Sequence, residues 1–198
     1  MSETTIRPAT PGDVSFFVSL VYFASPEYPI IFGSRADATM SSLFKRRRNL
    51  FSHEFAQVAL VDGRPAGFML AYDYKQKKTL AASTAAMIAM TAGFTLLKSV
   101  PFLVKNADVL ERIEPGEYFL SNIVVCDGFR GHGVGAVLMK KLEKDALARG
   151  CDKVVLETNA ENARAISFYT GLGYSVVDTF SFVLSGEKRT YRRMAKNV

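Results

Sequence analysis

The sequence has few of the residues that build metal centres and disulfide frameworks. Its 198 residues include only two cysteines, Cys126 and Cys151, and two histidines, His53 and His132. Their positions match no zinc-ligand spacing, so we predict no metal site. Two distant cysteines give no reason to expect a disulfide, which favours a reducing, cytoplasmic setting. The first residues also lack the charged-then-apolar order of a signal peptide.

Dense runs of one charge are also scarce, although the formal net charge is +6. Lys45–Arg48 is the one compact basic run, and Lys75, Lys77 and Lys78 form a looser one. No signature of a nucleic-acid-binding module accompanies them. A solvated helix end explains the compact run, so we predict no nucleic-acid partner.

Charge is absent altogether between Thr79 and Leu97, a stretch long enough to cross a membrane. Because it consists mostly of Ala, Thr and Ser, its insertion would be marginal, and we predict no membrane association. We interpret residues 75–116 as a helical insertion, with helices at Leu80–Lys98 and Pro101–Arg112. Low polarity predicts that the insertion is buried, either as a lid over an active site or against another subunit. A homodimer is therefore one open alternative.

The rest of the chain reads as alternating strands and helices in one domain spanning residues 1–198. A first strand is followed by a helix that begins at Thr10–Asp13, and Pro26 and Pro29 end it. Asp62–Gly63 between two apolar runs predicts a hairpin. The further predicted helices are Ser34–Asn49, Gly133–Ala148 and one from Glu161–Asn162 through Tyr169. The further predicted strands are Phe55–Val61, Ala66–Tyr74, Glu117–Val125, Lys153–Glu157, Tyr174–Leu184 and Arg189–Ala195. In the helix at Gly133–Ala148 we expect one buried face, made by Val134, Val137, Leu138, Leu142 and Ala146.

A glycine-rich loop between a strand and a helix is the centre of the sequence. The loop alternates glycine with other residues: Arg130, Gly131, His132, Gly133, Val134 and Gly135. Glycine lets the backbone approach a ligand closely, and a helix N-terminus offers unpaired N–H groups and a positive dipole end. The stretch therefore predicts a phosphate-bearing cofactor held by backbone amides, with Arg130 nearby. Taken alone, it is equally consistent with a glycine-rich turn that binds nothing.

Two motifs together resemble the GNAT superfamily of acyl-CoA-dependent N-acetyltransferases. The family's (Arg/Gln)-x-x-Gly-x-(Gly/Ala) loop matches Arg130, Gly133 and Gly135. Its Asn-x-x-Ala-x-x-x-Tyr helix matches Asn162, Ala165 and Tyr169. The resemblance is firm over Tyr118–Val183, whereas the N-terminal half agrees only in the order of its elements.

The resemblance implies an α/β (α+β) fold. Its sheet is mixed and mostly antiparallel, with a central pair of parallel strands that splay apart and helices on its flanks. It also implies acetyl-CoA as the cofactor, CoA as the product and no metal. The pyrophosphate would lie on residues 130–135, and the backbone of Ile123, Val124 and Val125 would pair with the pantetheine arm. Asn162 would contact the cofactor or orient the site.

Direct acetyl transfer to an amine needs a base for the amine and a proton source for the departing thiolate. Tyr169 resembles the family's tyrosine that serves the sulfur as general acid. Two carboxylates are candidates for the base, Glu157 at the end of one strand and Glu117 at the start of the preceding one. We favour Glu157, because the bacterial ribosomal-protein alanine acetyltransferases carry a glutamate at a similar position.

The sequence therefore predicts a cytoplasmic N-acetyltransferase whose acceptor is a small-molecule amine. A protein N-terminal or lysine acetyltransferase is the alternative within the enzyme class. A non-catalytic acyl-CoA-binding sensor is the alternative outside it, although the presence of both Tyr169 and a carboxylate favours an enzyme.

Overall fold

A seven-stranded mixed sheet forms the centre of the computed structural model, which describes residues 3–106 and 112–198. Its strands are β1 (Thr4–Pro8), β2 (Ala56–Val61), β3 (Arg64–Asp73), β4 (Glu117–Val125), β5 (Lys153–Asn159), β6 (Ser175–Leu184) and β7 (Glu187–Asn197). They lie in the order β1-β2-β3-β4-β5-β7-β6. Every neighbouring pair is antiparallel except β4 and β5, which are parallel.

Helices cover both faces of this sheet. They are α1 (Val14–Ala24), α2 (Tyr28–Phe32), α3 (Ala36–Lys45), α4 (Tyr74–Ala92), α5 (Val100–Lys105), α6 (Val134–Ala148) and α7 (Ala163–Gly171). Residues of β3 alternate between two cores, because successive strand side chains point to opposite faces. Phe68 joins Phe17 and Phe44 under α1 and α3, whereas Met69 joins Leu138 under α6. The mixed sheet with one parallel pair confirms the predicted fold class.

The strand and hairpin predictions hold closely. β4 has the predicted bounds, and β2 and β3 are joined at Asp62–Gly63. Both turn residues have positive φ, +48° and +77°, as a tight two-residue hairpin requires. On α6, Val134, Leu138, Leu142 and Ala146 are buried as predicted, but Val137 is 38% exposed, so its assignment to that face is wrong.

Helix boundaries differ from prediction where side-chain caps or proline set them. Pro29 stands in the first turn of α2, a position that tolerates proline, so a short helix follows the break after α1. The predicted helix at Ser34–Asn49 is the shorter α3. α4 begins six residues before the predicted Leu80, because Asp73 and Gln76 form a capping box with N–H···O distances of 2.8 and 2.9 Å.

The insertion between β3 and β4 is helical, as predicted. After α4, a 3₁₀ segment covers Gly93–Lys98, and α5 follows. The predicted end of the second helix at Arg112 runs across residues 107–111, which lie outside the described residues.

The described residues of the insertion form no lid over the site, whereas burial of the insertion against another subunit stays a prediction. Met90 is 75% and Phe94 89% exposed. None of the described residues between 74 and 106 lines the pocket between β4 and β5 that is described below. Tyr74–Lys98 is long and apolar enough to cross a membrane, and only 11% of its most apolar part is buried. The insertion contacts the domain through hydrogen bonds of Ser83, Thr84, Thr95 and Ser99. Some of its apolar residues also pack against the core: Leu80, Met87, Ile88, Leu96, Phe102 and Leu103.

Candidate active site

The two parallel strands pair over only part of their length. β4 and β5 are in register from Glu117, opposite Lys153, to Leu120, opposite Leu156. Beyond Leu156, β5 continues to pair with β7, while β4 continues to pair with β3. The carboxyl ends of the two strands therefore splay apart in the middle of the sheet, as the resemblance implies.

A β-bulge in β4 lies at the point of divergence. Leu70 faces Asn122 and Ala71 faces Leu120, so Ser121 is an extra residue with no opposite partner on β3. Such a bulge bends its strand, and this one follows directly after the last residue paired with β5.

The bulge leaves one backbone edge of β4 facing the gap. Just after β4, Cys126 N–H donates to Ala66 C=O of the neighbouring strand β3 at 2.8 Å. Because strand backbone groups alternate in direction, Val124 also bonds towards β3, whereas the N–H and C=O groups of Ile123 and Val125 point towards the gap. Arg130 Nε donates to Val125 C=O at 3.2 Å. An extended amide chain laid in the gap could therefore pair with Ile123 and Val125 as an added strand does.

A pocket of about 360 Å³ fills the gap between the splayed strands. Its lining comes from the α1–α2 turn, from β4, β5 and β7, and from the start of α7. The side chains and backbone that line it belong to Phe23, Ala24, Pro26, Leu120, Ser121, Asn122, Ile123, Leu156, Glu157, Thr158, Asn159, Glu161, Asn162, Ala165, Tyr169 and Tyr191. Of the site residues predicted from sequence, Tyr169, Glu157, Asn162 and Ile123 meet in this lining.

The glycine loop lies outside the pocket lining, between the end of β4 and the start of α6. Gly133 precedes α6 with a φ of +79°, a conformation that side-chain-bearing residues rarely adopt. Val134 is buried, so it contributes to the loop only through its backbone. A Cβ at Gly135 would lie 3.1 Å from the ring of Phe168, which shows how closely α6 and α7 approach.

Polar contacts hold the loop in place. Arg130 forms an ion pair with Asp127 at 2.7 Å, and His132 Nδ1 lies 3.0 Å from the backbone oxygen of Arg130. The first-turn amides of α6 have no intrahelical acceptors. The loop thus supplies what a diphosphate needs: glycine in a left-handed conformation, free amides at a positive helix end and one cation close by. These residues fit the diphosphate of CoA, and the free edge of β4 fits its amide-containing arm.

Tyr169 is anchored by its helix and by other aromatic rings. Its ring centroid lies 5.3 Å from that of Phe168 and 6.1 Å from that of Tyr174. The residue is 7% exposed, and burial raises the pKa of its phenol to about 12. The phenol is therefore protonated at neutral pH and can donate a hydrogen bond to a group that enters the pocket.

Asn162 caps the helix that carries Tyr169. Its side-chain oxygen accepts the N–H of Ala165 at 3.0 Å, as an N-cap residue does. The Asn-x-x-Ala spacing of the sequence motif is thus a capping interaction. It fixes where α7 begins, and hence where Tyr169 lies two turns later.

Glu157 belongs to a buried row of alternating charges. Arg193, which is 2% exposed, donates to Glu157 Oε1 at 3.0 Å and to Glu117 Oε2 at 2.6 Å. Burial raises the pKa of Glu157, and the charge of Arg193 and its hydrogen bond oppose that shift. Glu157 also lines the pocket, so it is both held by a cation and open to a ligand.

Glu117 is placed differently, although it shares the same arginine. It starts β4, at the opposite end of the strand from Ile123, and is absent from the pocket lining. Its carboxylate also accepts the N–H of Glu114 at 2.9 Å and lies 3.8 Å from Lys153 Nζ. These contacts indicate that Glu117 is the counter-charge that keeps Arg193 in place.

Sequence reasoning missed the far wall of the pocket, where Phe23 and Tyr191 lie. Phe23 is 70% exposed, and the hydroxyl of Tyr191 donates to Glu27. Burial raises the pKa of Glu27. These residues come from the α1–α2 turn and from β7, which are distant in sequence, and no local motif marks them. Only the fold brings them together.

A polar network behind the bulge was missed as well. The buried Asn122 donates from Nδ2 to Ser25 Oγ at 2.8 Å, and Ser121 Oγ donates to Asn122 Oδ1 at 3.1 Å. It links the bulge to the end of α1. Its only signal in the sequence is a polar Ser-Asn pair inside an apolar strand, which is typical of a functional or strained position. In the described ranges, no group of three His, Cys, Asp or Glu residues could hold a metal ion.

Comparisons with known proteins agree with this geometry. A family model described as "Acetyltransferase (GNAT) family" matches residues 18–174. Among curated proteins, an acetyltransferase of Pectobacterium atrosepticum is 42% identical over 50 residues, which make up 25% of this chain and 36% of that protein. The curated relatives that we compared are matched over only 22 to 41% of their own lengths.

Solved structures extend the likeness to the whole chain. An N-acetyltransferase from Staphylococcus aureus Mu50 superposes with a TM-score of 0.72 at 16% identity, covering 97% of this chain and 100% of that one. The ribosomal-protein-S18-alanine N-acetyltransferase from Escherichia coli gives a TM-score of 0.59 at 18% identity, covering 98% and 94%. At such identities these matches support the fold alone, and they confirm the fold that the resemblance implied.

Proposed function

Because the chain belongs to the GNAT acetyltransferase family, we propose that it transfers an acetyl group from acetyl-CoA to a primary amine. The observation that carries the proposal is the pocket between the splayed strands. A protonated phenol, Tyr169, and a half-buried carboxylate, Glu157, both line it. The free edge of β4 and the glycine loop lead away from it and suit the long anionic cofactor.

The cofactor supplies an acetyl thioester, and the protein holds it through two elements. The backbone of Ile123 and Val125 pairs with its amide groups. The amides of residues 131–135 and the guanidinium of Arg130 bind its diphosphate. Asn162 fixes the start of α7, and thereby directs Tyr169 towards the sulfur. No side-chain nucleophile is needed, because the amine attacks the thioester directly.

Glu157 takes the proton from the acceptor's ammonium group. Its raised pKa improves it as a base compared with an ordinary carboxylate, while Arg193 keeps it ionised. Tyr169 donates to the sulfur as negative charge develops there. Glu157 would pass that first proton on to solvent. As the C–N bond forms and the C–S bond breaks, the nitrogen would lose a second proton, and the leaving thiolate, stabilised by the phenol, would take up one proton to give the CoA thiol.

The acceptor side of the pocket favours a small cationic amine. Two carboxylates, Glu157 and Glu161, line the pocket, and Glu27 lies behind Tyr191. Aromatic rings beside carboxylates suit an ammonium group. The volume of about 360 Å³ is also in the range of small-molecule sites.

A peptide amine is the second candidate acceptor. Phe23 borders the pocket and is 70% exposed, which would allow it to contact a chain that extends beyond the cavity. The fold is shared with the alanine N-acetyltransferase of ribosomal protein S18 from E. coli.

We place the enzyme in the cytoplasm, where acetyl-CoA is available. This location agrees with Cys126 and Cys151, which are both free thiols.

A CoA-release assay tests the proposal. The full chain is incubated with acetyl-CoA and, separately, with diamines, amino sugars and peptides that have free N-termini. We expect release of CoA with at least one small amine and an acetylated product by mass spectrometry. Tight binding of acetyl-CoA without turnover on any amine would support a sensor and contradict the proposed reaction.

A further inference from the structure

The insertion turns an apolar side to solvent. In α4 the exposed apolar residues recur every three or four positions, as one side of a helix does, and further exposed apolar residues follow in the 3₁₀ segment and in α5. We call this side the insertion face, and it comprises Ala82, Ala85, Ala86, Ala89, Met90, Phe94, Leu97, Val100 and Val104. Phe94 is 89%, Met90 75%, Val104 73% and Leu97 62% exposed. So many exposed apolar side chains in one segment of the chain indicate an interaction surface.

The opposite side of the insertion is fixed to the domain by polar contacts. Thr84 Oγ1 accepts the N–H of Leu50 at 3.0 Å, and Ser99 Oγ donates to Ile31 C=O at 2.8 Å. Arg35 Nε donates to Thr91 C=O at 3.2 Å. On the same side, Leu96 and Phe102 pack against the core, so the domain fixes which residues of the insertion stay exposed.

The positive charge of the insertion indicates which kind of partner its exposed face would bind. From Tyr74 to Asn106 the sequence has five lysines and no aspartate or glutamate. Lys75, Lys78, Lys98 and Lys105 are exposed, and Lys98 directly follows Leu97 in the insertion face. The exposed basic run ending at Arg48 lies alongside, since Ser83 Oγ donates to Arg48 C=O at 2.7 Å.

A second copy of the chain is a poor match for this surface. Two insertion faces brought together would place exposed lysines near one another, and residues 74–106 contain no aspartate or glutamate to offset them. An anionic lipid surface offers both an apolar layer and negative charge. Contrary to the prediction of no membrane association made from the sequence, we therefore propose that the insertion face docks the enzyme on an anionic membrane surface.

The topology argues for lying on the membrane and not crossing it. Asp73 ends β3 opposite Tyr118 of β4, so both ends of the insertion return to adjacent strands of one sheet. A crossing at Tyr74–Lys98 would need a second crossing before residue 117. It would also break the contacts of Thr84, Thr91 and Ser99 with the domain. An interfacial position keeps all of them and buries the apolar side chains at headgroup depth.

The chain contains no tryptophan, so Phe94→Trp introduces a single fluorescent probe into the insertion face. We expect its emission to shift to the blue with vesicles of phosphatidylcholine and phosphatidylserine, and to stay unchanged with phosphatidylcholine alone. Salt should weaken the effect, because exposed charges are screened. Absence of any shift on anionic vesicles at low salt would overturn the proposal.

Co-sedimentation of the full chain with the same vesicles tests the face itself. The double variant F94S/L97S should lower partitioning by roughly tenfold or more. Its control is V177S/V183S, which changes two apolar residues of β6 that are 56% and 58% exposed. K98E/K105E should weaken binding roughly fivefold or more for each lysine, whereas K140E/K144E, exposed on α6, should not. Melting curves establish that each variant is folded.

Two other outcomes would contradict docking on a membrane surface. If F94S/L97S abolishes a concentration-dependent dimer, and the wild-type chain ignores vesicles, the insertion face joins two copies of the chain. If the bound protein resists both high salt and alkaline carbonate, the segment is inserted through the bilayer. The proposal is independent of catalysis, so an inactive protein could still satisfy it.

Discussion

Replacing Tyr169 with phenylalanine isolates the hydroxyl that we assign to the departing sulfur. The ring keeps its contacts with Phe168 and Tyr174, at centroid distances of 5.3 and 6.1 Å, so the fold should change little. Affinity for CoA should also persist, because the backbone of β4 and the glycine loop supply the contacts that hold it. The expected defect is confined to the chemical step.

The pKa of Tyr169 sets the size of that defect. An ordinary thiol has a pKa of about 8.5, so full proton transfer from a phenol of pKa about 12 is uphill by about 5 kcal/mol. Donation of a hydrogen bond to the developing thiolate avoids this cost and is worth about 1.5–3 kcal/mol, or roughly 10- to 150-fold in rate. General acid catalysis contributes roughly 10²- to 10⁴-fold. The ranges expected for a hydrogen bond and for general acid catalysis overlap near 10²-fold, which is the loss of turnover that we expect in Tyr169→Phe.

Tyr174→Phe is the matched control. Tyr174 belongs to the same ring cluster and is 2% exposed, but its hydroxyl bonds to Glu143 at 3.2 Å and does not line the pocket. Its loss should cost about 1 kcal/mol of stability and leave turnover unchanged. Single-turnover kinetics and CoA calorimetry separate the two variants. Unchanged chemistry in Tyr169→Phe, or equal losses in both, would remove Tyr169 from the mechanism.

Further variants test the base, the loop and the arginine between the carboxylates. Glu157→Gln should lower turnover by roughly 10²- to 10⁴-fold. Glu117→Gln should instead lower the melting temperature, because a buried ion pair is lost. The reverse pattern would make Glu117 the base. Gly133→Glu should abolish CoA binding in calorimetry. The control Gly150→Glu, with a similar φ of +72° at the other end of α6, should strain the backbone equally and leave binding intact. Intact affinity in Gly133→Glu would refute the assignment of this loop to the diphosphate. Arg193 lowers the pKa of Glu157, so Arg193→Lys should raise that pKa and move the acid limb of the kcat profile to higher pH; a shift to lower pH would contradict the assignment of Glu157 as the base.

Local patterns were enough to predict most of the architecture. Apolar alternation predicted β2, β3 and β4, and the Asp62–Gly63 turn predicted their hairpin, because these features depend on neighbouring residues. The motif at residues 162–169 is equally local: a capping residue and a tyrosine two turns later. Because the motif is local, the sequence alone indicates Tyr169 as a candidate site residue.

The errors arose where packing decides the outcome. Low polarity led us to expect a lid or a subunit interface at the insertion, but no described residue of it lines the pocket, and Leu96 packs against the core while Phe94 stays exposed. The sequence favoured Glu157 over Glu117 as the base only through a resemblance, since both are carboxylates at the ends of strands. The register of β4 and β5 separates them, because only Glu157 lies where the strands diverge. Phe23 and Tyr191 carry no motif, and they reach the pocket only through tertiary structure.

A crystal structure of the complex with CoA is the most direct test of the central claim. We predict that the amides of the bound molecule pair with Ile123 and Val125, that its diphosphate contacts residues 131–135, and that its sulfur lies within hydrogen-bonding distance of the Tyr169 hydroxyl. CoA bound elsewhere, or a sulfur directed away from Tyr169 and Glu157, would contradict the account.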